Sequence, residues 1–137
     1  MSKKKPSRRP TVPTRETSRT QAANYLKTAL EAMAAGRWDT AVLLAVHAGI
    51  SAADAVCVAH HGLRSISQTH MDQVRLVRQL FPGDDEAGKA SDHLAASLDR
   101  KNTVEYEGRV CQPRDAEAAA KHAERLLAWA RGRGGKG

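Results

Sequence analysis

The chain has 137 residues, enough for one domain whose hydrophobic core needs neither disulfides nor a metal. Only five residues are aromatic, so the core must be mostly Ala, Leu and Val, which favours close-packed helices over a sheet. No apolar run approaches the ~20 residues that span a bilayer. Cys57 and Cys111 come with no signal peptide and no metal-ligand spacing. We therefore expect a cytoplasmic protein with reduced thiols, no cofactor and no membrane partner.

The net charge of +7 is concentrated at the two ends of the chain. Residues 1–16 contain six basic residues and one acidic residue, and residues 131–137 contain three basic residues. Residues 17–130 are nearly neutral, with 13 basic and 14 acidic residues. The Pro-rich first segment and the Gly/Arg-rich last segment are typical of disordered tails on a domain of residues 17–130. Such tails either contact nucleic acid phosphates in a salt-sensitive way or only increase solubility.

Two helices are predicted in the first half of the domain. The first opens with Ser18 in capping-box spacing to Gln21 and stops at Gly36. Its predicted buried face consists of Ala22, Leu26, Ala29, Leu30 and Met33. The second runs from about Asp39 to His61, with Gly62 as its stop. Because its middle is apolar almost all round, we expect it to be the central and most buried helix.

Three further helices are predicted in the second half. The third, from about His70 to Leu80, would bury Met71, Val74 and Val77, and the fourth runs from about Asp85 to Tyr106. No stretch alternates with the period of a strand, so the predicted fold is all-α, an up-and-down bundle of four or five helices. The fifth helix follows Pro113 and has one apolar stripe of Ala116, Ala119, Ala120, Ala123, Leu126, Leu127 and Ala130.

Polar side chains interrupt the apolar face of the second helix. His47, Ser51 and Asp54 follow an i, i+4, i+7 spacing, which places them within about 60° of one another around the helix. They are stacked along the axis at roughly 5–6 Å per turn, so they do not form a Ser–His–Asp triad. The six histidines of the chain also lack a metal-ligand spacing, and we predict no metal site.

The fourth helix has a comparable break in its apolar stripe. The stripe continues into Lys101 and Glu105 after four apolar residues, Ala87, Ala90, Leu94 and Leu98. A charge on a buried face is costly without a partner, so we predict an ion pair between Lys101 and Asp54, with Glu105 and either His47 or Ser51 completing a polar core. Such a cluster either fixes the register of the helices or forms a catalytic or ligand-binding site.

Two segments and the order of the elements resemble the HEPN superfamily over roughly residues 20–130. They are "WDTAVLLAVHAGISAADAVCVA", with its inward Asp54, and "LDRKNTVEYEGR" at the end of the fourth helix. The resemblance implies a small helical bundle of prokaryotic toxin–antitoxin, phage-defence or RNA-processing systems, commonly a homodimer. In the family an Arg, usually followed by a polar residue, precedes a His by four to six residues in a metal-independent ribonuclease site. The Arg would stabilise phosphate charge and the His would act as general acid/base.

The late segment departs from this family pattern because no His follows Arg100 or Lys101 at that distance. It is similar instead to HEPN branches that end in a basic-Asn-x-x-acidic-Tyr pattern, matched here by Lys101, Asn102, Glu105 and Tyr106. The resemblance therefore transfers Lys101 (or Arg100) and Asn102 as polar contacts, without a general acid/base. A carboxylate beside a phosphate is electrostatically unfavourable, and a tyrosine is a poor base at neutral pH.

Three functions remain open from the sequence. The first is a non-catalytic or vestigial HEPN-like module that binds RNA or a partner protein as a homodimer, with the polar core His47, Ser51, Asp54, Lys101, Asn102 and Glu105. The second is an active ribonuclease toxin, whose catalytic residues would come from Arg100, Lys101, Asn102, Glu105 and Tyr106. The third is a helper of a cognate nucleotidyltransferase-like protein, which rests on family association alone.

Overall fold

The protein is helical throughout the part of the chain that its structure, a computed structural model, describes: residues 15–62, 71–106 and 110–134. Those ranges contain no strand, which confirms the all-α prediction. The helices are α1 (Arg15–Ala34), α2 (Trp38–His61), α3 (Met71–Leu80), α4 (Asp85–Tyr106) and α5 (Pro113–Gly134).

At one end of the bundle, contacts between the helices show which helices start there and which helix ends there. The backbone N–H of Cys111 donates to Asp39 Oδ1 at 2.8 Å, so α5 starts beside the start of α2. Arg100, late in α4, pairs with Asp115 in the first turn of α5 at 3.0 Å. The helix α4 therefore runs antiparallel to α2 and α5. We call this end, where α2 and α5 begin, the Asp39 end.

The opposite end of the bundle is closed by aromatic contacts. The ring of Phe81, which follows α3, lies edge-on to Trp129 of α5 and to His61 of α2, with centroid distances of 6.1 and 5.2 Å. The ends of α2, α3 and α5 therefore meet here, at what we call the Trp129 end. Arg19 near the start of α1 and Arg131 near the end of α5 line one groove, so α1 also begins at this end.

The central helix of the bundle is α2, which packs against all four other helices. Its buried residues are all small: six alanines, one glycine, one serine, one cysteine and three valines. Small side chains allow neighbouring backbones to approach closely. At Gly49, an added Cβ would lie only 2.8 Å from Cδ1 of Leu126 in α5.

The apolar stripes of α4 and α5 lie where the sequence predicts them. Every apolar member of both stripes is buried, and all of them except Ala120 belong to one continuous core with α2. The predicted stop of α2 is also confirmed, because Gly62 adopts the left-handed conformation with φ 65° and its N–H bonds to Val58 O. Conformations with positive φ favour glycine, since they bring a Cβ too close to the backbone.

The structure corrects the predicted start of the first helix and the predicted end of the fifth helix. Helix α1 starts at Arg15, so Ser18 lies inside the helix and is buried rather than serving as its N-cap. Helix α5 continues to Gly134, four residues into the predicted 131–137 tail. Residues 1–14 and 135–137, which make up the rest of the two predicted tails, lie outside the described residues.

Two predicted core residues are exposed. Leu30 in α1 is 37% exposed and Met71 in α3 is 40% exposed, because each helix contacts the bundle along a narrower stripe than its sequence pattern predicts. In α3, Val74 and Val77 are buried as predicted, and Gln73 is buried beside them in place of Met71.

The length and hydropathy of α2 exceed what we expected from the sequence. Its length of 24 residues, and a mean hydropathy of 1.9 over its most apolar 18-residue window, make it by length and composition alone a helix that could cross a membrane. In the described structure 67% of its most apolar window is buried by the bundle. A core helix meets the same criteria, so this is weak evidence for a membrane span.

The close contact at Gly49 can be tested against a second helical glycine. Alanine is normally favoured over glycine in a helix by about 0.5–1 kcal/mol. A Cβ at Gly88 meets nothing within 4 Å, so we expect Gly88→Ala to stabilise the protein by this amount. Gly49→Ala should lose the gain, because its methyl group collides with the buried Leu126. Urea unfolding measures both changes, and equal stabilisation would contradict the packing.

Candidate functional site

One of the three polar residues of α2, His47, contacts α1. Ser51 is buried and His47 is half-buried. The imidazole of His47 lies against the ring of Tyr25 in α1, with centroids 5.7 Å apart and planes inclined by 36°. This part of the predicted polar core therefore joins α2 to α1.

The third polar residue of α2 is joined to α3. The side-chain Nε2 of Gln73 donates to Asp54 Oδ1 at 2.8 Å and to the backbone oxygen of Ile50 at 2.9 Å. The buried Oε1 of Gln73 has no hydrogen-bond partner within the described structure. Sequence reasoning missed Gln73, although its side chain links Asp54 to α3.

The predicted ion pair between Lys101 and Asp54 is not formed. The side-chain Nζ of Lys101 instead lies 2.7 Å from Glu105 Oε1, one turn along its own helix. The two side chains are 13% and 34% exposed, so the pair lies at the edge of the bundle. Distance along α2 explains the difference: the neighbouring Arg100 shares a cavity with Val42, and Asp54 lies 12 residues further on, about 18 Å away.

The remaining candidate catalytic residues do not converge on one place. Asn102 is exposed, and Arg100 is turned toward Asp115 in α5. Asp115 accepts from Arg100 through Oδ1 and from the backbone N–H of Gln112 through Oδ2, at 3.0 and 2.7 Å. Arg100 is thus bonded to the residue that caps the start of α5. Tyr106 ends α4, and its side chain lies outside the described residues.

A cavity of about 230 Å³ lies beside Arg100 at the Asp39 end. Its polar lining combines Arg100 with Asp99, Thr103 and Asp115. The carboxylates balance or exceed the single guanidinium group, so the cavity presents no net positive charge to a phosphate. This arrangement supports the junction of α2, α4 and α5 more directly than it supports anion binding.

Two histidines that sequence reasoning set aside form the closest pair of titratable rings in the described structure. Nδ1 of His93 in α4 lies 2.9 Å from Nδ1 of His122 in α5. One ring must donate and the other accept, so at least one of them is neutral in this contact. The two residues are 29 positions apart, and only the packing of α4 on α5 brings them together. The sequence gives one indication of the pair, because each histidine directly precedes a residue of the apolar stripe of its helix.

The surroundings of the pair favour neutral imidazoles. Burial lowers the pKa of His93, with a further contribution from the positive charge of Arg125 that Asp92 partly offsets. Burial also lowers the pKa of His122, and His93, Arg100 and Arg125 add to the effect. A groove of about 370 Å³ runs beside His93 and contains Lys89 and Arg125. Neutral imidazoles beside cations are components of general acid–base chemistry on phosphate esters.

The cysteines and acidic residues provide no metal centre within residues 15–62, 71–106 and 110–134. No group of three or more His, Cys, Asp or Glu side chains there could hold a metal ion. Both cysteines are free and buried. Burial, with a smaller effect of Asp54, raises the pKa of Cys57 to about 12, so its thiol is unreactive at neutral pH.

Comparison of the chain with models of known protein families gives no match, and comparison with curated proteins gives none either. The function is therefore argued from the residues and their geometry.

From the lowered pKa values of the histidine pair we predict that the protein is less stable at acidic pH than at neutral pH. The pKa of each folded-state imidazole lies below its ordinary value near 6.5, so the unfolded chain binds more protons as the pH falls through that region. We expect the free energy of unfolding to be lower at pH 5.5 than at pH 7.5. A His93→Gln/His122→Gln variant should lose much of this difference, which urea unfolding at each pH measures. A pH dependence unchanged by the substitutions would contradict this account.

Proposed function

We propose that the chain is an HEPN-like helical module that binds RNA without cleaving it, mainly through the Trp129 end of the bundle. The observation that carries the proposal is that the first turns of α1 and the last turns of α5 lie at the same end of the bundle. Helix α1 begins at Arg15 and α5 ends at Gly134, and their adjoining turns line one groove. The six basic residues of segment 1–16 and the three of segment 131–137 are therefore attached at the same end.

The residues that line the groove suit contact with phosphate groups, because the charged residues among them are all basic. Its volume is about 250 Å³, and Arg19 and Arg131 supply its charge. No acidic residue is among its described lining residues: Arg19, Thr20, Ala22, Ala23, Ala52, Leu127, Ala130 and Arg131. An electrostatic footprint of this kind favours a polyanion over an acidic small molecule, because many weak phosphate contacts add along a strand.

The proposal that the protein does not cleave RNA is supported by the ion pairs of Arg100 and Lys101, the two cations of the segment that resembles the family. Lys101 is paired with Glu105, and Arg100 is paired with Asp115. A catalytic cation has to meet the charge that develops on the phosphate, and these two already meet carboxylates. The pairing favours a role in holding the Asp39 end together, while binding takes place at the other end.

The binding surface can be tested by removing equal charge from the two ends. We expect Arg19→Ser/Arg131→Ser to weaken binding of single-stranded RNA and to lower the slope of log K against log salt by roughly 1.4, at ~0.7 for each lost phosphate contact. The matched control is Arg37→Ser/Arg114→Ser, which removes two exposed cations at the Asp39 end. Fluorescence anisotropy at several salt concentrations measures both slopes. Equal losses in the two variants would contradict a surface at the Trp129 end.

A second candidate function, metal-independent ribonuclease activity, is favoured by one observation. His93 and His122 supply the imidazoles that the late segment lacks, and Arg100 and Arg125 are close enough to lower the pKa of His122. The direct 2.9 Å contact between the rings argues against it, since an acid and a base must act on opposite sides of a phosphate. We therefore rank it second.

Incubation with labelled RNA separates binding from cleavage. We expect the wild-type protein to leave the RNA intact, as do His122→Ala and the Lys101→Ala/Glu105→Ala double variant. Cleavage by the wild type would overturn the non-catalytic proposal. Its loss by about 10²–10⁴-fold in His122→Ala would then assign catalysis to the histidine pair. Its loss in the double variant alone would assign it to the late segment.

A further inference from the structure

Two imidazoles at the contact of α4 with α5 face each other through the same ring atom. Nδ1 of His93 and Nδ1 of His122 are 2.9 Å apart, and the ring centroids are 5.1 Å apart with planes inclined by 53°. Each ring therefore presents a nitrogen to the space between them. The neutral imidazole nitrogen is the commonest metal ligand that proteins use. The pair thus places two potential ligands of one ion side by side.

The separation of the two nitrogens is close to the separation that a shared metal ion requires. Two nitrogens bound at about 2.0–2.1 Å to a tetrahedral ion are about 3.3–3.4 Å apart. The nitrogens of the pair would have to separate by roughly 0.5 Å for such an ion, and the rings would have to tilt. The χ2 torsion of histidine is broad, and both side chains are half-buried rather than fully enclosed, so this adjustment is small for the surrounding packing.

The protonation state of the pair also suits a metal ion. Histidine binds a metal through a neutral ring whose ligating nitrogen carries no proton. Burial lowers the pKa of both imidazoles, with a further contribution from Arg125, and this favours neutral rings. In the present contact one Nδ1 carries the proton that the other Nδ1 accepts. Moving that proton to Nε2 of the same ring frees both Nδ1 atoms, and the pair releases no proton overall.

Carboxylates near the pair offset the positive charges around it. Lys89 and Arg125 line the groove beside the pair, and Glu86 lines the same groove. The charge of Asp92 acts on the pair with the opposite sign to that of Arg125. Arg100 also acts on the pair, but it is bound to a carboxylate of α5. The surroundings therefore do not present a large excess of positive charge to an incoming cation.

The groove beside His93 leaves the remaining coordination positions to solvent. Its volume is about 370 Å³, which is room for several water molecules. Within the described residues, no third His, Cys, Asp or Glu joins the two imidazoles in a group that could hold an ion. A structural zinc site is closed by four protein ligands. A site built on two imidazoles is therefore open, with water as its other ligands.

We infer that His93 and His122 bind one Zn²⁺ ion through their two Nδ1 atoms, so that the ion joins α4 to α5. Zinc is among the divalent ions that imidazole ligands suit. The sequence predicts no metal site because the two residues are 29 positions apart and meet only in the fold. The groove that contains Arg19 and Arg131 lies elsewhere, so the inference does not depend on RNA binding.

Equilibrium dialysis of the full-length protein against ZnCl₂ at neutral pH is the first test. We expect the wild type to bind zinc, and both His93→Gln and His122→Gln to bind it at least about tenfold more weakly, because each variant keeps one of two linked ligands. The matched control is His60→Gln/His61→Gln, which removes two exposed imidazoles and should bind zinc as the wild type does. No binding by the wild type, or an equal loss of affinity in the control, would overturn the proposal.

The ligating atoms can be identified without any variant, and hence without its effect on folding. Long-range ¹H–¹⁵N correlation spectra of the imidazoles separate Nδ1 from Nε2 in each ring. We expect ZnCl₂ to shift the Nδ1 signals of both His93 and His122. The same concentration of MgCl₂ should shift neither, because Mg²⁺ prefers oxygen ligands. Nδ1 signals that zinc leaves in place, or that magnesium shifts equally, would refute the site.

Discussion

The packing of small residues around α2 is the constraint on which the structure depends. Alanines and Gly49 let α1, α4 and α5 approach one central helix closely, and Leu126 fills the space that a Cβ would take at Gly49. Close-packed interiors tolerate little change in volume, so this contact fixes the distance between α2 and α5.

The helices were predictable from the sequence because each depends on local pattern. The stop at Gly62 requires one residue with positive φ, and the stripes of α4 and α5 repeat with helical periodicity. The candidate site was less predictable because its contacts are between helices. Lys101 and Asp54 each continue an apolar stripe in the sequence, yet they lie at different heights in the bundle. His93 and His122 look scattered in the sequence and meet only because α4 packs antiparallel to α5.

Charge is divided between two kinds of role in this molecule. Within the bundle, Arg100 and Lys101 are each bound by a carboxylate, and these pairs join neighbouring turns at the Asp39 end. At the Trp129 end, Arg19 and Arg131 lie in a groove whose described lining has no carboxylate, and α1 begins and α5 ends at this end of the bundle. Paired cations on a surface contribute little to long-range attraction, whereas a local excess of positive charge does. The distribution of charge therefore favours a structural role for the Asp39 end and a binding role for the Trp129 end.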